Sequence, residues 1–595
     1  MDAIMALCKR RGFIYQASEI YGGINGFWDY GPLGTMLKRN LREAWWQDMI
    51  QLPCWGRRGP SGEKIRCLPI ETRIIQHPKV WEASGHVAGF NDPMVDCTTS
   101  KKRYRVDKVW IVGFWSLEQA KEMYEALKAM LAQHQSGGAN HSTAETLRRE
   151  LAQRIPSLGV PAILVAIEDD SEENAARQAQ RSLTKRQVKF LGLDTVPDEF
   201  LLVGHARRLD QLPPNWPRLS PETQAPTLTP PRQFNLMFHS YTGAVFDEEN
   251  KVYLRPETAQ GIFVQFKNVV DTNRVKMPFG IGNVGTSFRN EITPRNYTFR
   301  SREFEQAELE FFCHPSESQQ WYAFWRDFRM EWWRSLGLSG ENLRLREHEK
   351  DELSHYSTGT SDVEYRFPFT APDFGELEGI AHRGCYDLEQ HQKHSGVKLE
   401  FFDTERGETL PNGSKKGERY LPHVIEPAAG IDRGVLAIIC EAYTRTEGGA
   451  GQGGAGLRPA SDHGSESRST SHGSESHATE SRPSAEIMKF HPRLAPIKAA
   501  VFPLVNKDGM PEVAERLHEE LQQKFGRMGL IETDPKQSIG KRYARMDEAG
   551  CPFCFTIDGD TLKDQTVTVR DRDTGAQERI GIDSVSGYLS ERLRV

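Results

Sequence analysis

The chain has 595 residues, 38% of them apolar and 27% charged, with 51 glycines and a formal net charge of -6. That length suggests about three to five domains, and 12 Trp, 29 Phe and 16 Tyr can fill several cores. A chain disordered throughout, a collagen-like repeat and a disulfide miniprotein are excluded. The mean hydropathy is -0.59, and no apolar run is long enough to span a bilayer. The N-terminus places a short apolar stretch before its basic cluster, the reverse of a secretory leader. Nine cysteines, sparse and odd in number, fit a reducing compartment. A soluble, cytoplasmic protein without a membrane partner is expected. The acidic balance predicts no overall attraction to nucleic acid, so a polyanion would need local patches. Candidates are KKRYR (101–105), FRSR (299–302), KRYAR (541–545) and VRDRD (569–573), each of which also reads as ordinary solvated surface.

In chain order, 29–50 reads as a helix, with Pro32 in its first turn and Leu33, Leu37, Leu41 and Trp45 on one stripe. A second helix is expected over 116–135, opened by a Ser116–Gln119 capping pattern. Seven prolines within 213–231 mark an irregular connection. The segment 447–485 has eight Gly, nine Ser, no aromatic residue and HGSES twice. It cannot bury enough apolar surface to offset its ordering entropy and is expected to be a tether. Beyond it, 497–505 reads as a strand, 511–526 as an amphipathic helix and 566–582 as a hairpin turning at Asp573-Thr574-Gly575.

The stretch 279–312 carries the chemistry. Gly280, Gly282 and Gly285 spell GxGxxG, but a dinucleotide site needs a helix directly after those glycines. Here a turn at 293–296 joins two alternating arms, which predicts an antiparallel hairpin. Arg289 and Glu291 lie two apart on one arm, and Arg300, Arg302 and Phe304 two apart on the other. Such a face offers guanidiniums for phosphate, a carboxylate for an amine and a ring for a base. A cross-strand ladder of salt bridges is the equally open alternative.

SFRNEI (287–292) with FRSREFEQ (299–306), and VIEPAAGIDRGVLAIICEAY (424–443), resemble the second and third signatures of class II aminoacyl-tRNA synthetases. IYGGINGFWDYGPLG (20–34), LRPETAQGIF (254–263), DELSHYSTGTSDVEYRFPF (351–369) and GELEGIAHRGCYDL (375–388) resemble the homodimeric glycyl-tRNA synthetases within that class. Residues 494–501 through 567–574 resemble that family's anticodon-binding domain. The resemblance implies an α+β catalytic domain on an antiparallel sheet (1–106 and 232–446) with an insertion (107–231). The tether (447–485) and a C-terminal α/β anticodon-binding domain (486–595) follow. It places the insertion near the tRNA acceptor end.

The resemblance also implies roles. ATP, bound with Mg2+ as a substrate complex, would meet Arg289, Asn290, Glu291, Phe299, Arg300, Ser301, Arg302, Glu303, Phe304, Glu376, Leu377, Gly430, Ile431, Asp432 and Arg433. Within that set Arg289 grips the α-phosphate, Glu291 faces the adenine, Phe304 stacks on it, Arg433 holds the γ-phosphate and Glu376 sits by the magnesium. Arg289 and Arg433 would be catalytic. Glycine would meet Arg105, Glu257, Phe304, Glu305, Gln306, Ala307, Glu308, Arg383, Glu426, Pro427, Ala428, Ala429 and Gly430, with Glu257, Glu426 and Glu308 reading its ammonium. The family commonly carries Ser where Ala428 stands. Arg542, Tyr543, Arg570 and Arg572 are candidates for the anticodon. The implied activity forms glycyl-adenylate and transfers glycine to the 3′ end of tRNA-Gly, in a homodimer. No tightly bound structural metal is expected: Cys551 and Cys554 lack a second pair nearby, Cys54, Cys67 and Cys97 are irregular, and His348 and His355 do not form HExxH. A non-catalytic RNA-binding relative would show a damaged site, whereas the arginines and acids are present.

Overall fold

The computed structural model describes residues 1–116, 161–169, 171–192, 206–338, 340–349, 358–411, 413–445 and 486–593. The helix expected from 116 onward, past its first residue, the 447–485 segment, and 351–357 with His355 lie outside the described residues. The chain divides into two compact units. One comprises Met1–Ser84, Met237–Arg289 and Pro294–Val595; the other comprises Gly85–Leu236 and Asn290–Thr293.

The first unit is built on a seven-stranded sheet. Its strands in chain order are β1 (Cys67–Pro69), β2 (Phe279–Phe288), β3 (Glu303–Cys313), β4 (Leu343–Glu347), β5 (Gly359–Tyr365), β6 (Gly375–Gly384) and β7 (His423–Gly430). Across the sheet the order is β4-β5-β6-β7-β3-β2-β1. Every neighbouring pair is antiparallel except β2 with β1. This is the α+β class expected. The three glycines of GxGxxG lie inside β2 and no helix follows them, which disposes of the dinucleotide reading.

One face of the sheet is closed by the helix Ser318–Ser335, which buries Trp321, Trp325, Phe328 and Trp332 along a helical stripe. From it Arg329 makes two bonds of 2.6 and 2.9 Å to Glu378 of β6, and the Trp333 indole donates to the same carboxylate at 2.6 Å. The helix Pro32–Trp46 starts on its proline and buries Leu37, Leu41 and Trp45, as the stripe predicts. Gly34 lets it approach the backbone at Phe13, just ahead of the strand Ile14–Gln16, because a Cβ there would sit 1.8 Å from the Phe13 carbonyl oxygen. A π turn over Gln47–Gln51 continues it. The helix Ile431–Ala442 leaves β7 directly.

The C-terminal domain carries a mixed five-stranded sheet in the order Leu530–Thr533, Ile497–Pro503, Phe553–Ile557, Thr566–Asp571, Gln577–Gly581. The first three strands are parallel and the last two form the expected hairpin. The helix Met510–Phe525 packs its Leu517, Leu521 and Phe525 stripe against this sheet.

Among the described residues, the second unit, taken by itself, has two three-stranded sheets. Asn91–Asp96 lies between Arg232–Asn235 and Arg103–Arg105, and Val109–Phe114 between Ile163–Glu168 and Ala206–Arg208. Val109–Phe114 is apolar and buried along its whole length. Among the described residues no helix is long and apolar enough to cross a membrane.

Candidate active site

The face of the sheet opposite the Trp-rich helix, covered at one end by the helix Ala259–Asn273, collects the chemistry. Side chains alternate along a strand, so Phe304, Gln306, Glu308 and Glu310 of β3 share a face. Glu305 and Ala307 point the other way: Glu305 pairs with Lys38 and Arg42 at 3.4 and 3.1 Å, and Ala307 lies in the core. The register sets Glu308 opposite Asn283 of β2 and Ala428 of β7, and Ala428 opposite Gly379 of β6. Ala428 therefore stands between a carboxylate and a glycine.

Glu308 is buried and accepts from the Thr258 backbone N–H at 2.9 Å, from the Thr258 hydroxyl, and from the Gln306 amide at 2.9 Å. Burial, with Glu426 and Glu257 close by, pushes its carboxyl up to about 8. Arg383 ties Glu426 to the helix Tyr386–Ser395: it donates to Glu426 at 2.8 Å and to both Asp387 oxygens at 2.8 and 3.0 Å. Gln260 completes the floor, donating to Glu257 at 3.0 Å and Asp387 at 2.9 Å while bonding the His391 ring at 2.8 Å. The result is an acid-rich pocket suited to a small cation such as an ammonium group.

Further along the same face lie the arginines. Arg289 follows the end of β2, donates to the Pro256 carbonyl at 3.1 Å and stacks its guanidinium 5.4 Å over the Phe304 ring. Arg433, in the first turn of Ile431–Ala442, lies 4.8 Å over the Phe299 ring, donates to the Phe299 carbonyl at 3.1 Å and pairs with Glu376 at 3.0 Å. Arg433 above all holds the Glu376 carboxyl below its usual range. The β5–β6 register slips between Val363 and Glu364, which sets Leu377 as an extra residue on β6. That bulge sends Leu377 into the core and leaves the Glu376 side chain half exposed.

The hairpin differs from its expected form. β3 begins at Glu303, an exposed residue, so Arg300 and Arg302 sit in the connecting loop rather than on the strand with Phe304. Asn296 and Tyr297 adopt positive φ of 60° and 62°, and a tight helical turn over Tyr297–Phe299 follows. The loop packs on Gly26, where a Cβ would come within 2.7 Å of the Pro294 ring. Arg302 donates to the Asn25 carbonyl at 2.7 Å. Ser301, Pro427, Ala429 and Ile431 are buried, whereas Gly430 is partly open. Asp432 is turned inward, accepting from Tyr30 at 2.6 Å, Lys38 at 2.8 Å and the Glu305 N–H at 2.6 Å. In the second unit, Arg105 pairs with Asp92 at 2.8 Å and Asp107 at 3.0 Å, and the Asn290 N–H donates to the Leu236 carbonyl at 2.7 Å. Glu291 belongs to that unit too.

The four anticodon candidates are interior residues. Arg570 makes bonds of 2.8 and 3.0 Å to Asp547, Arg572 donates to the Gly550 and Phe490 carbonyls at 2.9 Å, Arg542 to the Pro503 carbonyl at 2.6 Å, and Tyr543 bonds Thr556 at 2.5 Å. Spacing could not reveal this, because an arginine that braces a domain and one that meets RNA look alike in a sequence. Cys551 and Cys554 are buried and free. Gln260, Glu310 and Asp387 were not singled out from the sequence. The alternation of Glu308 with Glu310 was the available signal for one of them.

An antiparallel sheet that presents two arginine–aromatic pairs and an acid-rich pocket on one face defines a class II synthetase. Residues 241–443 match the family described as tRNA synthetase class II core domain (G, H, P, S and T), and residues 498–592 match the Anticodon binding domain. Glycine--tRNA ligase of Rhodopirellula baltica is 45% identical over 617 residues, covering 100% of this chain and 99% of the relative. The enzymes of the same name from Caldanaerobacter subterraneus subsp. tengcongensis and Geobacillus thermodenitrificans are each 39% identical, covering 100% of this chain and 98% and 97% of theirs. The chain belongs to the glycine–tRNA ligase family.

Proposed function

We propose that this chain activates glycine with ATP on the face of the seven-stranded sheet opposite the Trp-rich helix and transfers it to the 3′ end of tRNA-Gly. The observation that carries the reading is the adjacency of the Glu257–Glu308–Glu426 pocket to Arg289 and Arg433. Glycine offers an ammonium and a carboxylate and nothing else, so its ammonium enters the acid pocket and its carboxylate turns toward the arginines. The carboxylate oxygen attacks the α-phosphorus of ATP, the bond to the β-phosphate oxygen breaks, and pyrophosphate departs. Arg289 stabilises the charge that spreads over the α-phosphoryl oxygens, and Phe304 supplies a ring for adenine. Arg433 sits by the γ-phosphate. Magnesium arrives with ATP, and Glu376, half exposed beside Arg433, suits an ion that keeps phosphate and water among its ligands. The 3′-terminal hydroxyl of the tRNA then attacks the glycyl carbonyl, and AMP leaves. Positioning and fixed charge do the work, and no covalent enzyme intermediate is needed.

Alanine is rejected by walls rather than by a missing contact. A methylene difference in an apolar pocket is worth only about 1–3 kcal/mol, so steric overlap must add to it. The C-terminal domain binds the anticodon loop, through residues other than the four interior ones. The enzyme acts as a cytoplasmic homodimer. The test is ATP–pyrophosphate exchange across all twenty amino acids, followed by charging of tRNA-Gly. Exchange with glycine alone, and a truncation before residue 486 that loses charging far more than exchange, are the expected results. Exchange with another amino acid in place of glycine would overturn the reading.

A further inference from the structure

The strand register brings in a carboxylate that the reaction above leaves unused. β3 and β7 pair Glu308 with Ala428 and Phe311 with Ile425, so Glu310 stands directly across from Glu426. Directly opposed side chains on antiparallel strands point to the same side, with Cβ atoms ~5 Å apart. Glu310 is fully buried, no N–H or hydroxyl among the described residues donates to its carboxylate, and the carboxyl it meets within hydrogen-bonding reach is that of Glu426. Its other cross-strand neighbour, Ile281 of β2, is apolar, and Ala381 of β6 faces Glu426. The charged groups around the pair are Arg383 from β6, Asp387 from the helix after it, Glu308 from β3 and Glu257 ahead of the helix Ala259–Asn273. Two buried like charges at this spacing cannot both stay ionised cheaply. Burial and the nearby Glu426 push the Glu310 carboxyl far up, while Arg383 pulls the other way.

We propose that Glu310 and Glu426 hold one proton between them in the glycine-free protein, and that the arriving ammonium of glycine expels it. Glu310 is then a positioning residue that acts through Glu426 and sets the charge of the ammonium pocket. The proton leaves to solvent, the ammonium keeps its own three, and no covalent bond changes. The inference rests on the glycine reading of this pocket. In the empty pocket the shared proton relieves repulsion; in the filled pocket the ammonium takes over that task. Glycine affinity must therefore weaken as pH falls and the proton is held more tightly.

The experiment counts protons. Calorimetric titration of the full-length protein with a non-hydrolysable glycyl-adenylate analogue, in buffers of different ionisation heat, should show release of about two protons near neutral pH, one from this pair and one from Glu308, whose carboxyl is also held up. Glu310→Gln keeps the shape and removes the site, so release should fall by about one proton and the pH dependence of the glycine KM should become shallower, with the ATP KM unchanged. Equal proton release in both proteins, or a uniform loss of activity at every pH, would overturn the proposal. Infrared difference spectra give a second readout: the carboxylic-acid carbonyl intensity lost on glycine binding should be smaller in Glu310→Gln than in the unmutated protein, and an equal loss in both would overturn the proposal. Glu426→Gln separates the two levels. If it leaves the glycine KM unchanged, the pocket assignment itself fails; if it raises the KM while Glu310→Gln leaves proton release intact, only the present inference does.

Discussion

Lys38, in the second turn of a helix that begins at Pro32, donates to Asp432 at 2.8 Å. Asp432 spends its other oxygen on the Glu305 N–H of β3 at 2.6 Å. One carboxylate thus fastens the Pro32–Trp46 helix, the strand that carries Phe304 and Glu308, and the helix that carries Arg433. In this structure its bonds hold the framework of the site.

Lys38→Met should expose that role. It leaves Asp432 and Glu305 without their shared ammonium in a mostly buried setting. Breaking a fully buried pair costs about 3–5 kcal/mol; Lys38 keeps a fifth of its side chain in solvent, so about 2 kcal/mol is expected. Thermal unfolding should fall by several degrees, and glycine-dependent exchange should drop with it. An unchanged melting temperature would show that Tyr30 and the backbone N–H suffice for Asp432.

Arg289→Ala should act in the opposite sense, on rate rather than on stability. Arg289 donates to the Pro256 carbonyl at 3.1 Å, and the guanidinium rests over Phe304. Loss of a donor aimed at developing negative charge costs about 10²–10³ in rate. Glycine-dependent pyrophosphate exchange should fall by that factor while the melting curve stays in place. Near-native exchange would remove Arg289 from the reaction.

The hairpin was legible because its arms alternate, and the C-terminal strands and helix because their periods are clean. The fold class followed once the motifs stood in order. The site was legible as a set of residue types but not as geometry. Nothing in REFEQAELE says that Glu305 turns back toward Lys38, since that requires knowing which face of β3 is covered. The bulge at Leu377 is similarly silent in sequence: one extra residue decides that Glu376 faces out and Leu377 faces in. Arg302 looked like a strand residue because the tight turn after Asn296 has no strong local signal.

Ala428→Ser should tighten glycine binding. The position lies between Glu308 and Gly379, so a hydroxyl there would have an acceptor on one side and no side chain opposite it on the other. A neutral hydrogen bond contributes about 1 kcal/mol, which corresponds to roughly a fivefold fall in the glycine KM. The rate at saturating glycine should not move. An unchanged KM would mean that this pocket has no use for the hydroxyl.

Stability of the ligand-free protein should decline as pH rises from mildly acid to mildly alkaline. Glu308 is held up at about 8 by burial, Glu426 and Glu257, whereas an unfolded glutamate titrates near ~4.3. Below the unfolded value both states are protonated and the group is neutral in its effect. Between the two values the unfolded chain has shed the proton and the folded chain keeps it, so each step up in pH favours unfolding. Above the folded value the loss is complete. Glu308→Gln should therefore match the native melting temperature below pH ~4 and exceed it by the full amount above pH ~8. Parallel curves for the two proteins would show that Glu308 titrates normally.

Arg570→Ala should destabilise the C-terminal domain without abolishing RNA recognition. Arg570 and Asp547 are both buried and joined by two bonds of 2.8 and 3.0 Å. Removing the guanidinium strands the carboxylate, at a cost of about 3–5 kcal/mol. Asp547 is already pushed up by burial, so part of that cost is relieved by protonation at low pH, and the variant should lose least stability in mild acid. Its melting temperature should fall sharply at neutral pH while its affinity for tRNA-Gly, measured well below the melt, stays near native. A variant that melts normally but fails to bind tRNA would place Arg570 at the RNA surface, against its burial in the fold.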